Sequence, residues 1–578
     1  MNLFTGLKRR HVFRIGIAYL VVAWLVVQVV AAVTPMLDLP VWLGKTVLIL
    51  LAAGFPIALL LTWGFELTPE GVKRTGAVSA MPQAVGEPKP AIPAADSSTP
   101  SIAVLPFADM SPNKDHEYFA DGITEELLNK LARLRGLQVA GRTSSFHFKG
   151  KNEDMRLIGE ALSVANVLEG SVRKSGDRVR ITAQLINART GYHLWSETYD
   201  RKLDDIFAIQ DDISKSVATA LSITLGVGEL GQMAGGTRNA KAYDEYLQGQ
   251  SLVFQRQLDA SSQAIDHFET AINLDPSFSW AWLGIANASG MATIVDTPDH
   301  IGDWNKRKQE AFARAKKFAP DSLPVILYAA QENLHRNQWI ETESALQNIA
   351  GRGAKLPPQV DFVYGRFLLA VGRTKEAIDY LRRFQRAEPL SPFAYGYLGG
   401  AYAASGNLSE ALKVHETGLE KVGDLPHAPL AEMSVLTALQ ANDRGLILKR
   451  LDAAIAIDPV LAPIQSAMRP LLDDKPAALA ALHGMLKDPS ASNSLQRLYI
   501  AMWAAYFGDA SLSLDALRTE KDFLGIYPEW ANPMLRDVRK LPGFKDLMRS
   551  AGLVDYWRKT DHWADICHPI GDDDFDCS

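Results

Sequence analysis

Three groups of residues in this 578-residue chain have the types and spacing to do chemistry. The first is the C-terminal set His562, Cys567, His568 and Cys577, which reads H-x4-C-H-x8-C among several aspartates. Two thiolates and two imidazoles could hold a metal ion, the thiols could pair as a disulfide, or both could stay free. These are the chain's only cysteines, and their closeness at the very end points to an oxidising compartment. The second group is Asp109, Asp115, His116, Glu117 and Asp121, five residues within thirteen. Carboxylates and an imidazole could bind a cation or move protons. No metal-ligand spacing is met, and Pro112 and Asn113 are turn residues, so a loop leading to a helix capped by Asp121 is the plainer reading. Because the loop follows a strand, it is still the best small-ligand candidate. The third is Gly44-Lys45-Thr46, the ending of a phosphate-binding loop without its leading glycine or its strand. No cofactor, catalytic or metal set is expected from these groups, and the chain reads as a non-enzyme.

The elements that must carry these residues differ sharply along the chain. Residues 15–37 and 46–65 contain no Asp, Glu, Lys or Arg. As helices rising 1.5 Å per residue, each can cross a hydrocarbon core of about 30 Å. A transmembrane hairpin is therefore expected over 1–75, with spans at about 12–37 and 43–65. Lys8, Arg9, Arg10 and Arg14 precede it, Lys73 and Arg74 follow it, and only Lys45 lies between. That bias puts the soluble region in the cytoplasm, whereas the cysteine pair argues for the periplasm. Residues 76–100 form a Pro/Ala-rich linker.

An α/β domain is expected over 101–225. Ser101–Phe107 suits a buried strand, and Phe119, Ile123, Leu127, Leu131 and Leu134 mark one face of a helix. Val179, Ile181, Ala183 and Leu185 alternate with Arg178, Arg180, Thr182 and Gln184, the period of a half-buried strand in a meander. A final helix carries Ile206, Ile209, Ile213 and Val217. The run SIAVLPFADMSPNKDHEYFADGITEELLNKLARL, with the later hairpin ARTGYHLWSETYDR, resembles the TolB-like N-terminal domain of bacterial signalling and envelope proteins. The resemblance implies a bacterial inner-membrane protein with tetratricopeptide repeats behind this domain. In relatives a class III adenylate cyclase or winged-helix module precedes it, and here the membrane hairpin stands in that place.

Over 241–550 the chain reads as an all-α tetratricopeptide-repeat solenoid. Gly365, Gly372, Ala377 and Pro389 fit the grid of small residues and closing proline. Gly399, Gly406 and Ala411 repeat the first three after thirty-four residues, with Tyr395, Leu398 and Tyr402 in the large apolar slots. Ala264, Phe268, Ala271 and Pro276 mark an earlier unit, and Ile447, Leu451, Ala454 and Pro459 a later one. Six to eight helix pairs are expected, with the inner faces over 358–425 as the binding platform. Residues 551–578 form a capping tail whose Val554–Trp563 segment packs on the last repeats.

A net charge of −6 and a pI near 6.1 give no basic surface for nucleic acid. The expected function is a membrane-anchored scaffold or sensor that binds protein partners in the repeat groove; self-association stays open. The alternative is a signalling enzyme or regulator related to class III cyclases, whose catalytic domain is not found here.

Overall fold

The computed structural model describes residues 65–68, 71–74, 99–223, 234–253, 258–295, 300–352, 356–422, 428–458, 460–487, 494–518 and 529–577. The expected spans lie outside these residues, apart from Phe65, as do Gly44–Thr46, most of the linker and Pro459. Phe65–Thr68 (β1) pairs antiparallel with Gly71–Arg74 (β2), so Phe65 belongs to a strand and not to the end of a span. No helix among the described residues is long and apolar enough to cross a membrane. Residues 1–94 and 95–578 are separate compact units, and everything below concerns the second.

That unit opens with Ser101–Val104 (β3), Ala108–Asp109 (β4) and the helix Glu117–Ala132 (α1). The helix starts at Glu117 with His116 as its cap, so Asp121 lies a turn inside it and does not cap it. Gln138–Val139 (β5), Arg142–Phe146 (α2) and Met155–Leu162 (α3) follow. The meander is Asn166–Ser175 (β6), Arg178–Asn187 (β7) and His193–Lys202 (β8), closed by Ile206–Ala220 (α4). The sheet order is β5-β3-β6-β7-β8, with β4 beside β6; β3 runs parallel to both neighbours and the meander is antiparallel. Period-2 alternation gives it two apolar faces at its centre. Ile102, Val104, Leu168 and Val172 join α1 and α4 on one side, while Ala103, Leu105 and Val167 meet α3 on the other.

Eight helix pairs follow among the described residues. They are Ala240–Val253 (α5) with Leu258–Leu274 (α6), Ser279–Val295 (α7) with Ile301–Phe318 (α8), and Leu323–His335 (α9) with Trp339–Ala350 (α10). Pro358–Ala370 (α11) pairs with Thr374–Ala387 (α12), Pro392–Ala404 (α13) with Leu408–Val422 (α14), and Ala428–Ala441 (α15) with Arg444–Ile457 (α16). Ala462–Met468 (α17) with Lys475–Lys487 (α18), and Ser494–Tyr506 (α19) with Ala510–Arg518 (α20), complete the tetratricopeptide-like solenoid. Pro324, Pro358, Pro392 and Pro463 sit in the first turn of their helices, where a missing N–H costs nothing. Small residues set the approach of each pair. A Cβ on Gly365 would stand 2.7 Å from Leu381, and one on Gly399 2.1 Å from the buried His415. Phe268 lies between Gly249 and Gly284, either of whose Cβ atoms would overlap its ring. Ala264, Ala271, Ala377 and Ala411 are fully buried, Tyr395, Leu398 and Tyr402 nearly so. Gly372 and Gly406 take positive φ at helix ends. Pro276 and Pro389 each stand two residues past a helix.

The cores do not follow the domain boundaries expected from the sequence. One core runs from β3 through α1 and α4 into α5, α6 and α7 without interruption. A second runs from Ala330 to Cys577. The tail belongs to this second core: its first helices pack on the last pair, at Ala510–Arg518, whereas the Val554–Trp563 segment expected there packs on the middle of the stack. The tail comprises the short turn Glu529–Ala531, Arg536–Arg539 (α21), Pro542–Ser550 (α22), Leu553–Thr560 (α23) and the antiparallel strands Cys567–Ile570 (β9) and Asp574–Cys577 (β10). Trp530 and Trp557, both fully buried, donate their indole N–H to the Ala370 carbonyl that ends α11 and to Val371 just past it, at 2.9 Å each. Trp339 on α10 donates in return to Ala551 at 2.8 Å, and the Asp565 carboxylate accepts the Lys375 N–H at the start of α12 at 2.9 Å. Helix ends orphaned in the centre of the stack thus find their partners in the tail. Trp557→Ala should therefore lower the stability of the central repeats by about 3–5 kcal/mol. Thermal unfolding followed by far-UV circular dichroism checks this, because a merely local tail would leave the main transition unmoved.

Candidate functional site

Of the residues singled out in the sequence, the acidic group divides in two. Asp109 accepts the N–H of Ser111 and of His116, 2.8 Å each, and so shapes the β4–α1 loop. Burial alone would raise its pKa, but those hydrogen bonds hold it below the usual carboxylate range. Asp115 lies 2.7 Å from the His116 imidazole. Glu117 and Asp121 point elsewhere, to Lys149 at 2.9 and 2.6 Å. The C-terminal group also separates. Cys567 and Cys577 are bonded as a disulfide and face each other across β9 and β10. His562 lies away from them, 3.6 Å from Glu343 and 3.3 Å from Arg373. Among the described residues no cluster of His, Cys, Asp and Glu could hold a metal ion. Of the arginines on the repeats, Arg383 pairs with Asp361 at 2.9 Å and Arg382 hydrogen-bonds Tyr402.

A cavity lies away from the 358–425 platform. It is a groove of about 740 Å³ between α1 and the first helices of the first three pairs. Its floor is built by helical spacing: Tyr246, Leu247 and Gln250 on α5; Leu283, Gly284 and Asn287 on α7; Leu327, Tyr328 and Gln331 on α9. Each helix ends its row with an amide, and Trp280 joins the floor from the start of α7. The wall is the polar face of α1, with Glu117, Asp121, Glu125 and Asn129 at successive turns and Glu126 beside Glu125. Lys149, and Arg142 at 2.9 Å from Glu125, close the upper rim.

Two contacts hold the wall to the floor. Gly122 lets α1 approach α5, since a Cβ there would overlap Leu247 at 2.3 Å. Beside it Lys174 of β6 reaches Asp244 of α5 at 2.6 Å in a nearly buried pair, its side chain only 8% exposed. The second contact lies far along the stack. Glu388, past the end of α12, accepts the N–H of Ser144 at 2.8 Å and of Thr143 at 3.3 Å, the amides opening α2. Gly141 donates to the Ala387 carbonyl at 2.7 Å, and Leu390 enters the α3 face of the sheet. A Cβ on Gly141 would stand 2.0 Å from the Glu388 carboxyl, so any larger residue there would have to displace that side chain from its amide partners. Arg142 is thereby fixed at the rim.

Known proteins resemble parts of this chain. A family described as HilA/YgeH-like transcriptional regulator, second domain, matches residues 97–216, which is the α/β domain, under a description other than TolB-like. A protein of Rhizobium meliloti (strain 1021) named "Putative adenylate cyclase 3" is 38% identical over 252 residues, 43% of this chain and 39% of that one. The match thus spans well under half of the relative's length. Among solved structures, the type IV pilus biogenesis factor PilW is similar at 20% identity over 38% of this chain and 94% of its own, with a TM-score of 0.31. YrrB, a tetratricopeptide-repeat protein with an unusual peptide-binding site, gives 19%, 37%, 96% and 0.24. TolB from Acinetobacter baumannii gives 17%, 22%, 28% and 0.17.

Glu388 makes the second contact sensitive to pH. Burial pushes its carboxyl up to about 7, against the lowering effect of the Ser144 and Thr143 hydrogen bonds and of Arg142. Between its unfolded value near 4.5 and about 7, the folded state holds a proton that the unfolded state releases, so this group's contribution falls as pH rises. Glu388→Gln removes that slope. Relative to wild type, the variant should gain up to about 3 kcal/mol between pH ~5 and pH ~7.5. Urea unfolding of both proteins across that range provides the measurement, and parallel curves would contradict the assignment.

Proposed function

We propose that this protein is a membrane-tethered interaction scaffold whose repeats bind an extended segment of a partner protein in the groove beneath α1. The observation that carries this reading is the row of amides Gln250, Asn287 and Gln331, set at matching places on three successive first helices. Each primary amide both donates and accepts, as do the peptide groups of an extended chain, and the Tyr246 and Tyr328 rings between them suit its side chains. A solenoid offers such a chain a continuous concave face. The TolB-like resemblance of the α/β domain and the uncharged stretches at 15–37 and 46–65 support a tether in a bacterial inner membrane. For the soluble region, the Lys/Arg count supports the cytoplasm, while the Cys567–Cys577 bond supports the periplasm, the reading adopted here.

A second reading, a signalling enzyme of the cyclase kind, rests on the name of the Rhizobium relative alone. Cyclase activity in the purified protein would favour it over the scaffold.

Asn287 and Ser251 are exposed on the groove lining, so filling it with Asn287→Trp or Ser251→Trp should leave folding within about 0.5 kcal/mol of wild type. Phage-displayed random peptides selected on the full-length protein should converge on one motif, and either substitution should weaken that motif's synthetic peptide at least tenfold. Convergence on peptides indifferent to both substitutions would move the binding site elsewhere.

A further inference from the structure

The α1 wall carries four carboxylates, Glu117, Asp121, Glu125 and Glu126, against two cations, Lys149 and Arg142. Three of the four are already engaged: Glu117 and Asp121 with Lys149, and Glu125 with Arg142. Glu126 is the fourth. Among the described residues no cation stands within ion-pair distance of it, although Lys130 lies one turn further along its own helix and Arg133 just past that helix's end. Lys130 is itself committed to Asp211. Glu126 lines the same groove as Tyr246 and Gln250 of α5. Tyr246, Trp280 and Tyr328 supply ring faces to the same cavity, and Asn129 and Gln250 supply amide carbonyls. A carboxylate without an ion-pair partner, lining one cavity with aromatic rings and amide carbonyls, is complementary to an alkylammonium or guanidinium group.

Building on the groove reading above, we infer that Glu126 and Tyr246 form a subsite for one Lys or Arg side chain of the bound segment. The cation supplies the charge that the wall lacks, its stem lies along the Tyr246 ring, and Gln250 and Asn129 accept its remaining N–H groups. Charge complementarity thus selects a basic segment over an acidic one. Burial and the neighbouring Glu125 push the Glu126 carboxyl up to about 7, against Lys130 and Arg133. The groups that face it are Glu125 and Lys130 on α1, Arg133 at its end, and the Tyr243 and Tyr246 phenols, which burial pushes further up, so the subsite loses its own charge as pH falls through 7.

The test uses the phage-displayed random library on the full-length protein, wild type and Glu126→Gln, a nearly isosteric change. The wild type should return a motif with Lys or Arg at one fixed position. The synthetic peptide of that motif should lose at least tenfold in affinity when this residue becomes Gln. It should lose the same when Glu126 becomes Gln, with no further loss in the combination. Its wild-type affinity should also fall from pH ~8 to pH ~6, and the variant's should stay level. A converged motif with no fixed basic position, or a basic position whose effect survives Glu126→Gln, overturns the subsite and leaves the groove standing. A motif indifferent to both Asn287→Trp and Ser251→Trp overturns the groove itself. Glu126→Gln protein that melts below wild type is replaced by Glu126→Met, read by the same double-substitution comparison.

Discussion

The close approach of α1 to α5 is the constraint on which the rest depends. It is possible only because Gly122 presents no Cβ to Leu247, and it is locked by the Lys174–Asp244 pair. An ion pair this well shielded contributes little net stability, since desolvating both charges offsets most of their attraction, but breaking one partner leaves the other charge stranded. Its effect is therefore to fix geometry. It sets α1 across the first repeats at one distance, and that distance makes the groove.

The second contact, at Glu388 and Leu390, turns this arrangement into a bridge. The α/β domain rests on the first pair at one end and on the α12–α13 turn at the other, so it bridges these two places in the stack. A free solenoid bends along its length because each repeat touches only its neighbours. Here a sheet domain and the C-terminal tail both add contacts between segments more than a hundred residues apart. The tail does for the centre what the sheet does for the start: Trp530, Trp557 and Asp565 complete helix ends that adjacent repeats leave open.

Local pattern was readable in the sequence, and long-range assembly was not. The alternation at Val179–Leu185 and the four-residue spacing from Phe119 to Leu131 gave β7 and α1, because burial on one face leaves a period. The thirty-four-residue recurrence of Gly365 and Gly399 gave α11 to α14, because close helix contact demands small residues at fixed places. The tail was legible only as aromatic; nothing in Trp530 or Trp557 says that their indoles bond to Ala370 and Val371. The groove was missed for a related reason. Its amides recur at unequal spacing, with extra residues between α7 and α9, and its wall lies more than a hundred residues upstream. Asp121 read as a cap because an aspartate before an apolar run usually is one. A helix starting one turn earlier makes it a groove residue.

Hydrogen exchange at the α2 junction tests the bridge most directly. The amides of Gly141 and Ser144 are bonded to Ala387 and Glu388, in a different part of the chain. If the sheet domain and the repeats are one unit, these amides exchange as slowly as those in the middle of α13, and Leu390→Asp releases both together. Fast exchange at Gly141 and Ser144 in the wild-type protein, beside slow exchange in β6 and α13, would mean that the domain swings free of the stack and that no fixed groove exists.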